Sequence, residues 1–158
     1  MAINKHTLSE RGLNIIKSFE GLKLTAYQDE AGKWTIGYGC TYYANGKGIQ
    51  PADRLPNKEC AADLLSAVLK DFERTVNRVV SVPVNQNQYD ALVSFHYNTG
   101  SLPSSTLLKK LNKEDYTGAA AQFLVWNKVT DPGTGKKKVS EALVKRREKE
   151  TKLFNTPA

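Results

Sequence analysis

Long apolar runs are absent from this 158-residue chain. No stretch approaches the roughly 20 residues that span a bilayer, which excludes a helical membrane protein. The longest early apolar stretch, around Leu13–Ile16, is too short for a signal-peptide core, so synthesis in the cytoplasm without a signal segment is expected. Cysteine is scarce. Cys40 and Cys60 are too few for a disulfide scaffold; they read as thiols kept in a reducing compartment, or as one bridge across the loop they flank. The two histidines, His6 and His96, stand far apart, and no Cys/His cluster has metal-ligand spacing. Acidic residues are in deficit: 16 Asp+Glu face 23 Lys+Arg, a formal charge of +7. What is present is ordinary for a globular protein: 40% hydrophobic and 25% charged residues, which excludes a disordered tail. A chain of this size buries roughly 70% of its unfolded surface, enough for one domain with a core of its own.

The positive charge favours a polyanionic partner. Much of it lies in Lys136–Lys138 and Lys145–Lys152. The second run contains Glu148 and Glu150 and reads as the solvated face of a helix. No zinc finger, basic zipper or RNP-like motif accompanies the charge, so nucleic acid is not the expected partner.

Periodicity sets the organisation. Thr7 and Glu10 fit a capping box, and Leu13, Ile16 and Phe19 follow at helical spacing, predicting a helix over about 8–19. Residues 24–28 and 34–38 are rich in β-formers and flank a polar turn, Asp29-Glu30-Ala31-Gly32-Lys33, which is a hairpin signal. Asn57 caps a helix of about 20 residues, with Ala61, Leu64, Leu65, Val68, Phe72 and Val76 as its apolar stripe. Asn85 opens a further helix closed by Asn98-Thr99-Gly100. Helices are also expected over 104–111, 115–129 and 140–154, with a loop at Pro132–Gly135. The fold class is therefore α+β and mainly α. One domain over 1–158 is expected: a first lobe over about 1–56 with the small sheet, a connecting helix over about 57–80, and a helical lobe over about 81–158. A long helix joining two halves often leaves a cleft, and clefts are the default ligand sites.

The chemistry concentrates at the hairpin. Glu20 ends an apolar helix face, where partial burial favours the protonated acid. Asp29 lies in a polar turn, where a carboxylate stays solvated and ionised. Two carboxyls in opposed environments are the acid and base of glycoside hydrolysis. Thr35, on the second strand, could help Asp29 hold a water. Without further signals, Glu20 reads equally as a helix-end charge and Asp29 as an ordinary turn former. Trp34 and Trp126 read as core residues. Tyr27, Tyr38, Tyr42 and Tyr43 read as packing or as glycan contacts. His96 reads as a core or wall residue rather than a catalytic base.

Glu20, eight residues, Asp29, five residues, Thr35, followed by Ile36-Gly37-Tyr38-Gly39, resembles the catalytic signature of phage-type lysozymes, the endolysins of glycoside hydrolase family 24. Leu13–Gly21 resembles that family's first helix, Ser94–Gly100 its central helix end, and Trp126 with Leu143–Glu150 its closing segment. The resemblance implies a lysozyme-like two-lobed fold. It implies an inverting muramidase that cuts the β-1,4 bond between N-acetylmuramic acid and N-acetylglucosamine. Glu20 would be the general acid, with Asp29 and Thr35 positioning the water. Tyr38, Asn98 and Arg147 would contact the substrate, with Arg147 near Glu20. No metal or organic cofactor is implied. The implied partners are peptidoglycan strands and a holin-type pore that releases the cytoplasmic enzyme to the wall, and the chain is expected to act as a monomer. Two positions depart from the pattern: Cys40 stands where a histidine is common, and Ala142 where a glycine is frequent. A lytic transglycosylase and a non-catalytic glycan-binding module are the alternatives.

Overall fold

The apolar periodicities resolve into six α-helices and two short strand pairs in a computed structural model that describes residues 3–158. In chain order they are α1 (Glu10–Glu20), β1 (Lys23–Gln28), β2 (Trp34–Gly37), α2 (Lys58–Val79), α3 (Gln86–Thr99), α4 (Thr106–Asn112), α5 (Tyr116–Phe123), β3 (Lys128–Thr130), β4 (Lys137–Val139) and α6 (Glu141–Phe154). A 3-10 turn, Leu102–Ser104, precedes α4. The mainly helical α+β class holds. Among the described residues, no helix is long and apolar enough to cross a membrane.

The chain divides into two compact units, and the division does not follow chain order. A sheet unit comprises residues 15–71 and 129–138; a helical unit comprises residues 3–14, 72–128 and 139–158. Residues 3–14 therefore group with the helical unit rather than with the sheet. α1 and α2 each contribute residues to both units.

In the helical unit α3 is the central element. Nine of the ten residues from Asn87 to His96, all but Gln88, are buried. A helix covered on every side has no polar stripe to lose, and its apolar residues serve several neighbours at once. Phe95 meets Phe123 of α5 edge-on at 5.3 Å between ring centres, and Phe123 meets Phe154 of α6 at 5.4 Å. Trp126 packs edge-on against Phe95 at 5.5 Å. Ser94, Arg146 and Glu150 pair with one another in this interior. Ser94 donates to Glu150 at 2.5 Å, and the Arg146 guanidinium donates to both Glu150 (3.2 Å) and the Ser94 carbonyl (3.2 Å). Glu150 is fully buried, so removing any one partner would leave charge stranded in a medium that solvates it poorly.

Caps follow the chemistry of the residues that supply them. Asn85 caps α3 as expected, in a reciprocal capping box with Gln88, and Gly100 closes the helix in the left-handed region (φ 66°). At α1 the expected capping box at Thr7 is not used. Ser9 caps instead, its hydroxyl accepting from the Gly12 N–H at 3.0 Å, while Asp90 accepts from the Ser9 N–H and hydroxyl. The long-range carboxylate of Asp90 selects the cap, which a local pattern cannot foresee. The helix expected over 115–129 also stops early, at Phe123, and residues 128–130 pair with 137–139 as a second hairpin.

The sheet unit is built on the antiparallel β1–β2 pair, with Tyr27 opposite Thr35 and Gln28 opposite Trp34. Its core contains Ile16, Ile36, Ile49, Ala61, Leu65 and Val68. The second hairpin rests against the first: Pro132 lies 3.6 Å from the position a side chain at Gly32 would take. Tyr43 donates to Asp53 at 2.7 Å, and its burial and that bond push the phenol up to about 12.

Candidate active site

Glu20 is the last residue of α1, half-buried, one turn beyond the fully buried Ile16. Its side chain lies along the backbone of Gly39. A Cβ at that position would come within 2.6 Å of the Glu20 carboxyl carbon and 3.1 Å of Cγ. Gly39 also holds φ +76°, so both space and backbone conformation require glycine there. The Gly37–Gly39 loop is closed by a reciprocal backbone pair, Ile36 N–H to Cys40 O and Cys40 N–H to Ile36 O, each 2.9 Å.

Asp29 opens the β1–β2 turn, is solvent-exposed, and organises that turn through one oxygen. Oδ1 accepts from the N–H of Ala31 and of Lys33, each at 2.9 Å. Its backbone N–H donates to the Lys33 carbonyl at 2.9 Å, and its carbonyl accepts from Gly32 N–H at 2.9 Å. The other carboxylate oxygen, Oδ2, takes no hydrogen bond from the described residues. Thr35 is 3% exposed, and its hydroxyl donates to the Lys33 carbonyl at 2.9 Å. Asp29 and Thr35 are therefore both anchored on Lys33, whose N–H holds the carboxylate and whose C=O holds the hydroxyl. Because Thr35 spends its proton on that carbonyl, only its lone pairs remain to receive a further donor.

Tyr27 stands directly across from Thr35. Its phenol is raised above its ordinary ionisation range, first by burial and then by the charges of Glu20 and Asp29, so it lies within the field of both carboxyls. Tyr38 is 7% exposed, with the Lys17 ammonium 5.4 Å above its ring. Cys40 is fully buried and Cys60 half-buried, and both are free thiols, so the bridge considered from the sequence is not formed.

The structure thus gathers Glu20, Asp29, Thr35 and Tyr38 in the sheet unit, while Asn98 and Arg147 belong to the helical unit. Asn98 is exposed and does not serve as the helix cap, which Gly100 supplies. Its amide oxygen accepts from Nη2 of Arg147. Arg147 is fully buried, 5.1 Å above the Phe95 ring and with Nε 3.3 Å from Glu150 Oε1. Two parts of this arrangement were not singled out in the sequence. Gly39 was visible only as part of a glycine-punctuated run, and the Lys33 peptide carries its function on the backbone, which no side-chain pattern reveals. Among the described residues, no group of three or more His, Cys, Asp and Glu could hold a metal ion.

Residues 17–150 match the sequence profile of the family described as Phage lysozyme. The chain is 41% identical over 151 residues to an endolysin of Acyrthosiphon pisum secondary endosymbiont phage 1, covering 94% of this chain and 98% of that protein. Among solved structures it is similar to the endolysin from Escherichia coli O157:H7 phage FAHEc1, with a TM-score of 0.85, 39% identity, and coverage of 96% of this chain and 95% of that one. It is also similar to the muramidase domain of SpmX from Asticaccaulis excentricus, with a TM-score of 0.83, 35% identity, and coverage of 97% and 100%.

Proposed function

This chain belongs to the phage lysozyme family of glycosidase-type enzymes, and from that premise we propose that it is an inverting muramidase acting on bacterial peptidoglycan. The bond cut is the β-1,4 linkage between N-acetylmuramic acid and N-acetylglucosamine. The observation that carries the reading is the joint anchorage of Asp29 and Thr35 on Lys33. A water donating one proton to Asp29 Oδ2 and the other to the Thr35 hydroxyl oxygen is held with its lone pair free. Asp29 takes a proton as the water attacks the anomeric carbon. Glu20, fixed against Gly39, gives its proton to the departing glycosidic oxygen. One face of the sugar receives water while the other loses its aglycone, so the product is inverted. Such a mechanism needs the carboxyls roughly 6.5–9.5 Å apart, to leave room for the water.

Asn98, Arg147 and Tyr38 enter this proposal as substrate-side residues. Arg147 would act by positioning, since its guanidinium orients the exposed Asn98 amide. Cys40 in place of the family's usual histidine is compatible with the site, because the Ile36–Cys40 backbone pair holds the loop. Release to the wall through a holin-type pore, and action as a monomer, belong to the same proposal.

Digestion of purified peptidoglycan, with the fragments weighed by mass spectrometry, tests it. The wild type is expected to release fragments with reducing muramic ends. Glu20→Gln is expected to fall by about a hundredfold or more, the usual worth of a general acid, with its thermal midpoint retained. Anhydro-muramic ends would assign a lytic transglycosylase, and near-wild-type activity in the variant would remove Glu20 from the chemistry. A folded protein that binds the glycan and releases nothing would be a binding module.

A further inference from the structure

Tyr27 has a position and a free hydrogen-bonding capacity that the fold does not use. Directly opposed residues of an antiparallel pair have Cβ atoms about 4.5–5.5 Å apart and project from the same face of the sheet. Tyr27 and Thr35 are such a pair. The ring is held in place, half-buried, with the Lys23 ammonium 4.8 Å from its centre. Other tyrosines here spend their hydroxyl on the protein: Tyr43 donates to Asp53 at 2.7 Å and Tyr116 to the Pro83 carbonyl at 2.7 Å. The Tyr27 hydroxyl makes no hydrogen bond within the described residues. It nevertheless stands where the charges of both Glu20 and Asp29 reach it. A polar group so placed, on a pinned ring and left unmatched by the protein, is available to a group that enters the site.

We propose that Tyr27 is a substrate-binding residue, its phenol hydrogen-bonding a hydroxyl or acetamido group of the sugar that lies between Glu20 and Asp29. This rests on the muramidase reading and extends it. A phenol both donates and accepts, which suits a sugar substituent. Burial and two neighbouring carboxyls oppose its ionisation, so it stays a neutral donor wherever the enzyme works. By fixing the sugar from the sheet side, Tyr27 sets the anomeric carbon against the water held by Asp29 and Thr35. Hydrogen bonds to ring substituents of this kind strengthen as the sugar approaches its oxocarbenium-like transition state.

Tyr27→Phe tests this, because it removes one oxygen and keeps the ring, the packing and the Lys23 contact. The expected result is a loss of about tenfold or more in kcat/KM on peptidoglycan, the worth of one well-placed hydrogen bond to substrate. The thermal midpoint and both limbs of the pH–rate profile should stay in place. Wild-type kcat/KM in the variant overturns the inference. So does a rate loss accompanied by a displaced acid limb or a lowered midpoint, since Tyr27 would then act through Glu20 or through the fold. The muramidase reading is judged separately, on the end-groups released by the wild type, whereas Tyr27 is judged on the variant's rate relative to wild type.

Discussion

At the scale of single residues, the site depends on backbone groups as much as on side chains. Lys33 contributes nothing through its ammonium to this arrangement, yet its N–H and C=O set the positions of Asp29 and Thr35. The Thr35 hydroxyl donates to that carbonyl, and in the proposed mechanism it also accepts from the water. Serine retains both and valine, of similar shape, retains neither. Thr35→Ser is therefore expected to keep most of the activity, while Thr35→Val should lose about tenfold or more in kcat with KM little changed, as for an interaction expressed on the attacking water. Steady-state kinetics on the two variants decides this, and equal activity in both would take the hydroxyl out of the mechanism. Glu20, Asp29 and Thr35 are proposed from the resemblance of their spacing to the family's signature. That Gly39 must be glycine because Glu20 lies against it was not legible in the sequence, since the contact joins a helix end to a loop 19 residues on.

At the scale of elements, α3 shows how a strong helix signal accommodates polar cargo. His96 lies on its buried run, 7% exposed, with Phe72 edge-on at 5.1 Å and a ring nitrogen, Nδ1, that no group among the described residues matches. Burial, and next the charge of Arg78, hold its imidazolium below the ordinary histidine range. The unfolded chain takes up the proton first as pH falls, at about 6.5. His96 therefore contributes stability that is fully present above that value and is lost as pH drops toward the lower folded value, after which the loss levels off. Urea midpoints measured between pH 8 and pH 4.5 should fall over that window, and His96→Gln should flatten this part of the curve. An unchanged slope in the variant would assign the pH dependence to other groups. Helices with long apolar stripes and caps, α2 and α3, were placed within a residue or two by pattern. The β3–β4 hairpin was not. Three-residue strands carry almost no periodicity, and the apolar residues of 116–126 made a helical reading of the whole stretch the simpler one.

At the scale of the whole molecule, a net charge of +7 meets a wall rich in carboxylate and phosphate. Attraction of this kind acts over about a Debye length, roughly 8 Å at 0.15 M salt, and collapses as salt rises. Lysis of wall suspensions, followed by turbidity, should slow with added salt more steeply than cleavage of short soluble glycan fragments by the same protein. Parallel salt responses on both substrates would remove charge-driven wall binding. The amino-acid sequence by itself determined the helix and hairpin alphabet, the sign of the net charge and, through its resemblance to the family's signature, which residues are proposed as acid, base and water-holding hydroxyl. Those properties are local: they follow from periodicity, turn chemistry and residue type within a few positions. Only the tertiary structure decided that Ser9 rather than Thr7 caps α1, that residues 129–138 join the sheet unit, and that Tyr27 faces Thr35 with its hydroxyl unspent. Each of these turns on a partner distant in the chain or on a strand register, and the free energy that selects it exists only once the elements have packed.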